Sequence, residues 1–172
     1  MSRILIPALH TDINGSLIFL AGPIEGAKNW RDSAIKYILS MDNQVTICTP
    51  QLPIDADLQE LTYKKSKKEF GRIRAWEIHY IDLALKQGSV LFWLPEETFH
   101  NCAKPFGGMT RVELGETMAS YKYDSSLRFC IGGNPRFPEF NTIKYDLSHY
   151  APREIFDTLE KTCIEALRLA KR

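Results

Sequence analysis

The sequence predicts an α/β fold built on a parallel sheet, and three observations carry that expectation. Short β-branched or aromatic runs alternate along the chain with longer amphipathic stretches. Parallel strands need crossovers of about a dozen residues or more, which are normally helical. The chain has 172 residues, which at about 100–200 residues per domain is the length of one domain, expected to span 1–172.

The first strand is expected at Leu17–Ala21, and the helix after it at Trp30–Met41. A second strand, Val45–Thr49, leads into a long irregular stretch, Pro50–Lys65, and then a long helix, Ser66–Gln87. The third strand, Val90–Leu94, is followed by a second long loop, Pro95–Met109, and by a helix at Thr110–Tyr121. Two more strands, Leu127–Ile131 and Thr142–Tyr145, precede a closing helix at Pro152–Lys171. Loops longer than about a dozen residues in a compact domain usually serve function.

Composition removes several classes. Lys and Arg number 22 and Asp and Glu 21, for a net charge of +1, far from the basic balance of a dedicated nucleic-acid binder. Hydrophobic residues are 44% and charged residues 25%, as in an ordinary globular protein rather than a disordered or fibrous one. No apolar run reaches the roughly 18 residues of a membrane span, and Asp12 and Asn14 interrupt the apolar N-terminus, so a cytoplasmic protein is expected. Cys48, Cys102, Cys130 and Cys163 form no CxxC, which predicts reduced thiols and no metal site. No GxGxxG, GxxxxGK[ST], GxSxG or HExxH is present, so no nucleotide cofactor is expected.

Three segments carry candidate chemistry. Leu20–Gly26 follows a strand directly, and its Gly22 and Gly26 allow close approach to a ligand while Pro23 stiffens the turn. Gly107–Glu116 opens a helix. There Thr110 and Glu113 fit a capping box, and the same placement keeps the Glu113 carboxylate ionised in the positive field of a helix start, where it can act as a nucleophile. In the long helix, Phe70, Ile73, Tyr80, Ile81 and Ala84 cluster around Glu77 at about 100° per residue. A carboxylate on an apolar face is either paired, to an arginine such as Arg72, Arg74 or Arg111, or a working acid. Asp82 projects roughly 140° away, toward solvent. The basic run Lys64–Lys68, with Ser66 and Glu69 as another possible capping box, reads as a solvated helix start, and thin support for RNA binding.

Together these segments resemble the nucleoside 2-deoxyribosyltransferase-like family: Leu20-Ala21-Gly22-Pro23-Ile24, then Trp30-Arg31, then Trp76-Glu77 ahead of Leu91-Phe92-Trp93-Leu94-Pro95, then Gly108-x-Thr110-x-x-Glu113-Leu114-Gly115. The resemblance implies a flavodoxin-like open five-stranded parallel sheet, order 2-1-3-4-5, with helices on both faces and the site between the first and third strands. It implies that Glu113 attacks the anomeric carbon of a nucleoside and holds the sugar as a glycosyl ester while the nucleobase leaves. The chemistry parallels that of a retaining glycosidase. Better-studied members carry an aspartate shortly before the nucleophile, where this chain has Gly107 or its neighbours. Acid catalysis at the base then passes to Glu77, with Asp82 as second candidate. Gly22, Pro23, Ile24, Gly108 and Thr110 would line the site, and Trp30, Trp93 or Phe106 would stack on the base. The loop Glu96–Phe106, carrying Phe99, His100 and Asn101, would cover it and select the base. Expected partners are a small-molecule nucleoside or nucleotide and a free nucleobase, with no nucleic acid or membrane, in a homo-oligomer. Glu25 disfavours a phosphate at the first loop, although Lys28 and Arg31 could compensate. Hydrolysis with water as acceptor, and a nucleotide-sensing module without turnover, stay open as alternatives.

Overall fold

The computed structural model describes residues 3–7, 10–51, 67–100 and 102–172. In chain order the elements are β1 (Arg3–Leu5), β2 (Leu17–Ala21), α1 (Trp30–Met41), β3 (Thr46–Cys48), α2 (Lys67–Gln87), β4 (Ser89–Leu94), α3 (Gly108–Tyr123), β5 (Phe129–Gly133), α4 (Phe140–Tyr150), β6 (Ile155–Phe156) and α5 (Leu159–Ala170). The strands form one six-stranded sheet in the order β1-β3-β2-β4-β5-β6, and every pairing is parallel. The α/β class and the parallel sheet thus follow the sequence reading, while the sheet has six strands rather than five.

Three elements differ from expectation. Thr142–Tyr145 lies inside α4, because Ile143 and Leu147, four residues apart, are the buried pair and set a helical period. The edge beside β5 is taken instead by the two-residue β6, so the closing helix starts at Leu159, where the Thr158 side chain accepts from the Lys161 N–H. At the other edge β1 adds a three-residue strand beside β3.

The pleat divides the core in two. Phe19, Ala21, Phe92, Leu94, Phe129 and Ile131 face one side and pack against Trp76, Tyr80, Leu114, Met118, Ile143 and Leu147 of α2, α3 and α4. Their neighbours Ile18, Leu20, Leu91 and Cys130 face the other side and pack against α1 and α5. Helices therefore cover both faces, as buried parallel strands require. The buried stripe of α2 centres on Trp76 and Tyr80, whose rings lie 4.9 Å apart. Glu77 sits at the edge of that stripe rather than at its middle, and Phe70 is exposed.

From β2 the chain moves outward to β3 and then returns to place β4 on the other side of β2. Strand order reverses between β2 and β4, and in open α/β sheets ligands bind outside the carboxyl ends at such a point. No helix among the described residues is long and apolar enough to cross a membrane. All four cysteines are free.

Candidate functional site

A cavity of about 530 Å³ opens at that reversal, within the size range of small-molecule sites. Its walls are the segment after β2 (Gly22–Gly26), the inner side of α2 (Phe70, Ile73, Arg74, Glu77), the loop after β4 (Glu97, Phe99, Lys104–Gly107) and the start of α3 (Gly108–Thr110, Glu113).

The first loop is held by close packing. A Cβ on Gly22 would lie 2.6 Å from Trp30 Cζ2 and 2.6 Å from the Trp93 carbonyl oxygen, so only glycine fits between them. Gly22→Ala is expected to lower stability by about 1–3 kcal/mol, the range for overpacking, and to displace the loop; thermal melting and the amide resonances of residues 22–26 check both parts. The loop after β4 is tied to the first by Thr98 and Phe99, whose N–H groups donate to the Gly26 carbonyl at 2.7 and 3.1 Å. An ion pair between Lys104 and Glu25 at 3.2 Å adds a rim contact.

α3 begins two residues earlier than its sequence suggests. Its N-cap is Gly107, in the left-handed region at φ 64°, with no side-chain cap hydrogen bond. Thr110 and Glu113 therefore form no capping box. Glu113 stands in the second turn with its side chain turned into the cavity, buried at 9% exposure. A Cβ on Gly107 would meet the Phe137 ring at 2.5 Å, which explains why this N-cap is glycine rather than serine or aspartate.

The charged centre is a triad. Arg74 Nη1 donates to Glu113 Oε1 at 2.5 Å and to Glu77 Oε2 at 3.2 Å. Burial pushes both carboxyl groups above the ordinary glutamate range, and the Arg74 hydrogen bonds and charge pull each part of the way back. The Glu77 charge raises Glu113 further. Burial alone would lower the Arg74 pKa, but the two glutamates more than reverse it. Arg31 is the second cation. Burial brings its guanidinium down to about 9, against the opposing charges of Glu113 and Glu77. It remains charged at neutral pH.

Gly22, Pro23, Ile24, Phe106, Gly108, Thr110, Glu77 and Glu113 are brought together around this cavity. Trp30, Trp93 and Asp82 are not. Trp30 is 5% exposed in the core on the opposite face, where its Nε1 donates to the Pro23 carbonyl at 3.1 Å. Trp93 belongs to the same face as Leu91, so the pleat of β4 turns it away from α2 and α3. Neither can stack on a ligand in the cavity. Asp82 is 61% exposed and paired with Lys86 at 2.7 Å, one helical turn on. It lines a second, smaller groove between α2 and α3, which Arg74 and Glu113 also line, and its exposure agrees with its expected direction toward solvent. The Ser66–Glu69 cap, most of the Lys64–Lys68 run and Asn101 lie outside the residues described, at least in their side chains.

Arg74 is anticipated in the sequence only as a pairing partner, and Arg31 only within the Trp30-Arg31 segment and as a phosphate donor; both line the cavity. Arg74 precedes Glu77 by three residues, the spacing of a helical ion pair, and that signal was available. Among the described residues no group of three or more His, Cys, Asp or Glu side chains could hold a metal ion. Compared with protein-family models and with curated proteins, the chain gives no match.

Proposed function

We propose that this protein is a glycosyltransferase of the nucleoside 2-deoxyribosyltransferase-like kind on a flavodoxin-like fold, cleaving the N-glycosidic bond of a nucleoside through Glu113 and passing the sugar to a second nucleobase. The observation that carries the reading is the sharing of Arg74 Nη1 by Glu77 and Glu113 in a mostly apolar cavity. Their nearest oxygens are separated by no more than those two hydrogen bonds laid end to end. That upper bound lies below the roughly 6.5–9.5 Å an inverting pair needs for an intervening water, which supports a retaining reaction through a covalent glycosyl ester.

Burial raises both carboxyl groups, and the roles are assigned by the resemblance and by the bonds to Arg74. Glu113, bonded to Arg74 at the shorter distance, which favours its ionised form, takes the part of the attacking carboxylate. One of its oxygens bonds to the anomeric carbon as the C–N bond breaks, and the electron pair goes to the base nitrogen. Glu77, on the longer bond and raised by burial, supplies the proton that the departing base takes up. In the second half an incoming base attacks the same carbon, returns a proton to Glu77 and frees Glu113. Phe106 and Phe99 at the cavity wall offer faces on which a planar base stacks.

Glu77→Gln is expected to slow release of unactivated bases about a hundredfold or more, within the range for general acid catalysis, and to spare nucleosides with activated leaving groups. Rates for a series of leaving groups check this; equal losses across the series would make Glu77 a purely structural partner of Arg74.

The reaction itself is tested by supplying a deoxynucleoside with and without a different free base and following all products by chromatography. The expected result is a new nucleoside whenever the second base is present. Free sugar at the same rate in both cases, with no new nucleoside, would make the enzyme an N-hydrolase. No cleavage of any nucleoside or nucleotide, with ligand binding retained, would leave the non-catalytic sensing module.

A further inference from the structure

The loop after β4 is held at both of its ends by one short turn outside the cavity wall, the segment 134–137 between β5 and α4. Asn134 carries the pairing of β4 with β5 one residue further, its N–H donating to the Leu94 carbonyl at 2.8 Å. At the start of the loop, Glu96 accepts from Asn134 Nδ2 at 3.4 Å and from Arg136 Nη1 at 2.7 Å. The turn is closed on itself, with the Phe137 N–H donating to the Asn134 carbonyl at 2.9 Å and the Arg136 N–H to Asn134 Oδ1 at 2.9 Å. The chain leaves it through Glu139, at φ 60° the one non-glycine residue with positive φ among those described. Such a conformation persists only where the surroundings hold it.

At the far end of the loop the contact is aromatic. Phe137 is 2% exposed. Its ring is the one that a Cβ on Gly107 would meet at 2.5 Å, and it lies 5.7 Å from the Phe106 ring, tilted by 56°. Phe106 in turn lies against Gly26, where a Cβ would meet Phe106 Cδ2 at 2.7 Å and Cε2 at 3.0 Å. Phe106 therefore fills the gap between the first loop and the β5–α4 turn, and both Phe106 and Gly26 line the cavity. In a close-packed interior a ring shifts only when a neighbour gives way. The side chain behind Phe106 is Phe137.

We infer that Phe137 is a positioning residue that sets the width of the cavity by holding Phe106 against the first loop, and so decides how large a base is accepted, an inference that rests on the nucleoside reading above. With a smaller side chain at 137 the Phe106 ring gains room to withdraw from Gly26, and the wall retreats. Preference then moves toward the bicyclic purines and away from the smaller pyrimidines. The bonds from Thr98 and Phe99 to the Gly26 carbonyl hold the middle of the loop and leave its last residues to Phe137.

The test is the KM for deoxyadenosine and for thymidine, each with cytosine as acceptor, in the parent, in Phe137→Leu and in Phe129→Leu, the same truncation in the same core away from the loop. Phe137→Met is unbranched and adaptable, and keeps the core filled should the leucine variant fail to fold. The ratio of the two KM values is expected to move about tenfold in favour of deoxyadenosine in the Phe137 variants, the low end of the discrimination that one methylene gives in an apolar pocket. In Phe129→Leu it is expected to stay at the parent value. An unchanged ratio at Phe137, an equal change in Phe129→Leu, or unfolding of both Phe137 variants would overturn the inference and leave Phe137 as scaffold. If the parent turns over no nucleoside, the proposed function fails by itself. The positioning role is then decided in the free protein by the amide resonance of Gly26, which Phe137 reaches only through Phe106. A shift of that resonance in the Phe137 variants and not in Phe129→Leu supports the role, and its absence rejects it.

Discussion

Glu113→Gln is expected to fold and to lose at least about a thousandfold in turnover, since the amide keeps the shape of the side chain but cannot form the glycosyl bond. The fold should survive because the substitution removes a charge that burial disfavours. Its carboxyl group titrates above the ordinary glutamate range, so the folded state holds a proton that the unfolded chain releases more readily. Such a group withdraws stability as pH rises from the ordinary range through its raised value. An uncharged amide removes this penalty, and Arg74 keeps Glu77 as its partner. Above that window the variant is expected to be as stable as the parent or more so, while inactive. Thermal melts across pH, beside a turnover assay, check the combination. Loss of activity together with a large loss of stability would assign Glu113 to the scaffold.

Arg74→Met produces the opposite pattern. Two glutamates that now share one cation would face each other in an apolar cavity with only Arg31 nearby, and their carboxyl groups would move further up. At pH 8 the variant is expected to lose about 3 kcal/mol, the lower end for breaking a buried pair, because the Arg74 and Glu77 side chains retain some solvent contact. The sign with pH is fixed by the direction of the shift. Raised carboxyl groups favour the folded state at low pH and disfavour it as pH climbs through their folded values, so most of the loss should be recovered near pH 5. Urea denaturation at the two pH values measures it; a loss that does not change with pH would mean that Arg74 contributes packing rather than charge. Activity should fall as well, with its acid limb displaced to higher pH, since the pair would titrate as one coupled unit.

Much of the architecture was legible in the chain because the core strands are uniform apolar runs and the helices carry long periodic stripes. α1 is found at its expected bounds, Trp30–Met41. The errors fall where the signal is short or double. Thr142–Tyr145 alternates like a strand, but Ile143 and Leu147 also fit a helix, and only packing on α3 decides between them. β1 and β6 have three and two residues, too few for any periodicity. For the site, the loop after β2 and the glutamates of α2 and α3 could be placed from sequence, since each follows or lines a recognisable element. The tryptophans could not. Which face of β4 carries Trp93 depends on which side of the sheet α2 and α3 occupy, a property of the crossovers that no residue near position 93 records. Arg31 was equally hidden, because an arginine one residue into a helix looks solvated until its guanidinium is seen to reach back over Gly22 and Pro23.

The central claim is that Glu113 carries the sugar through a covalent ester. It is tested most directly by mixing the protein with a deoxynucleoside in the absence of any acceptor base, quenching in acid, and mapping the peptides by mass spectrometry. The account predicts a gain of one deoxyribosyl group on the peptide containing Glu113, lost on adding a free base and absent in Glu113→Gln. Active protein that accumulates no adduct under rapid quenching, or an adduct on another residue, would contradict it.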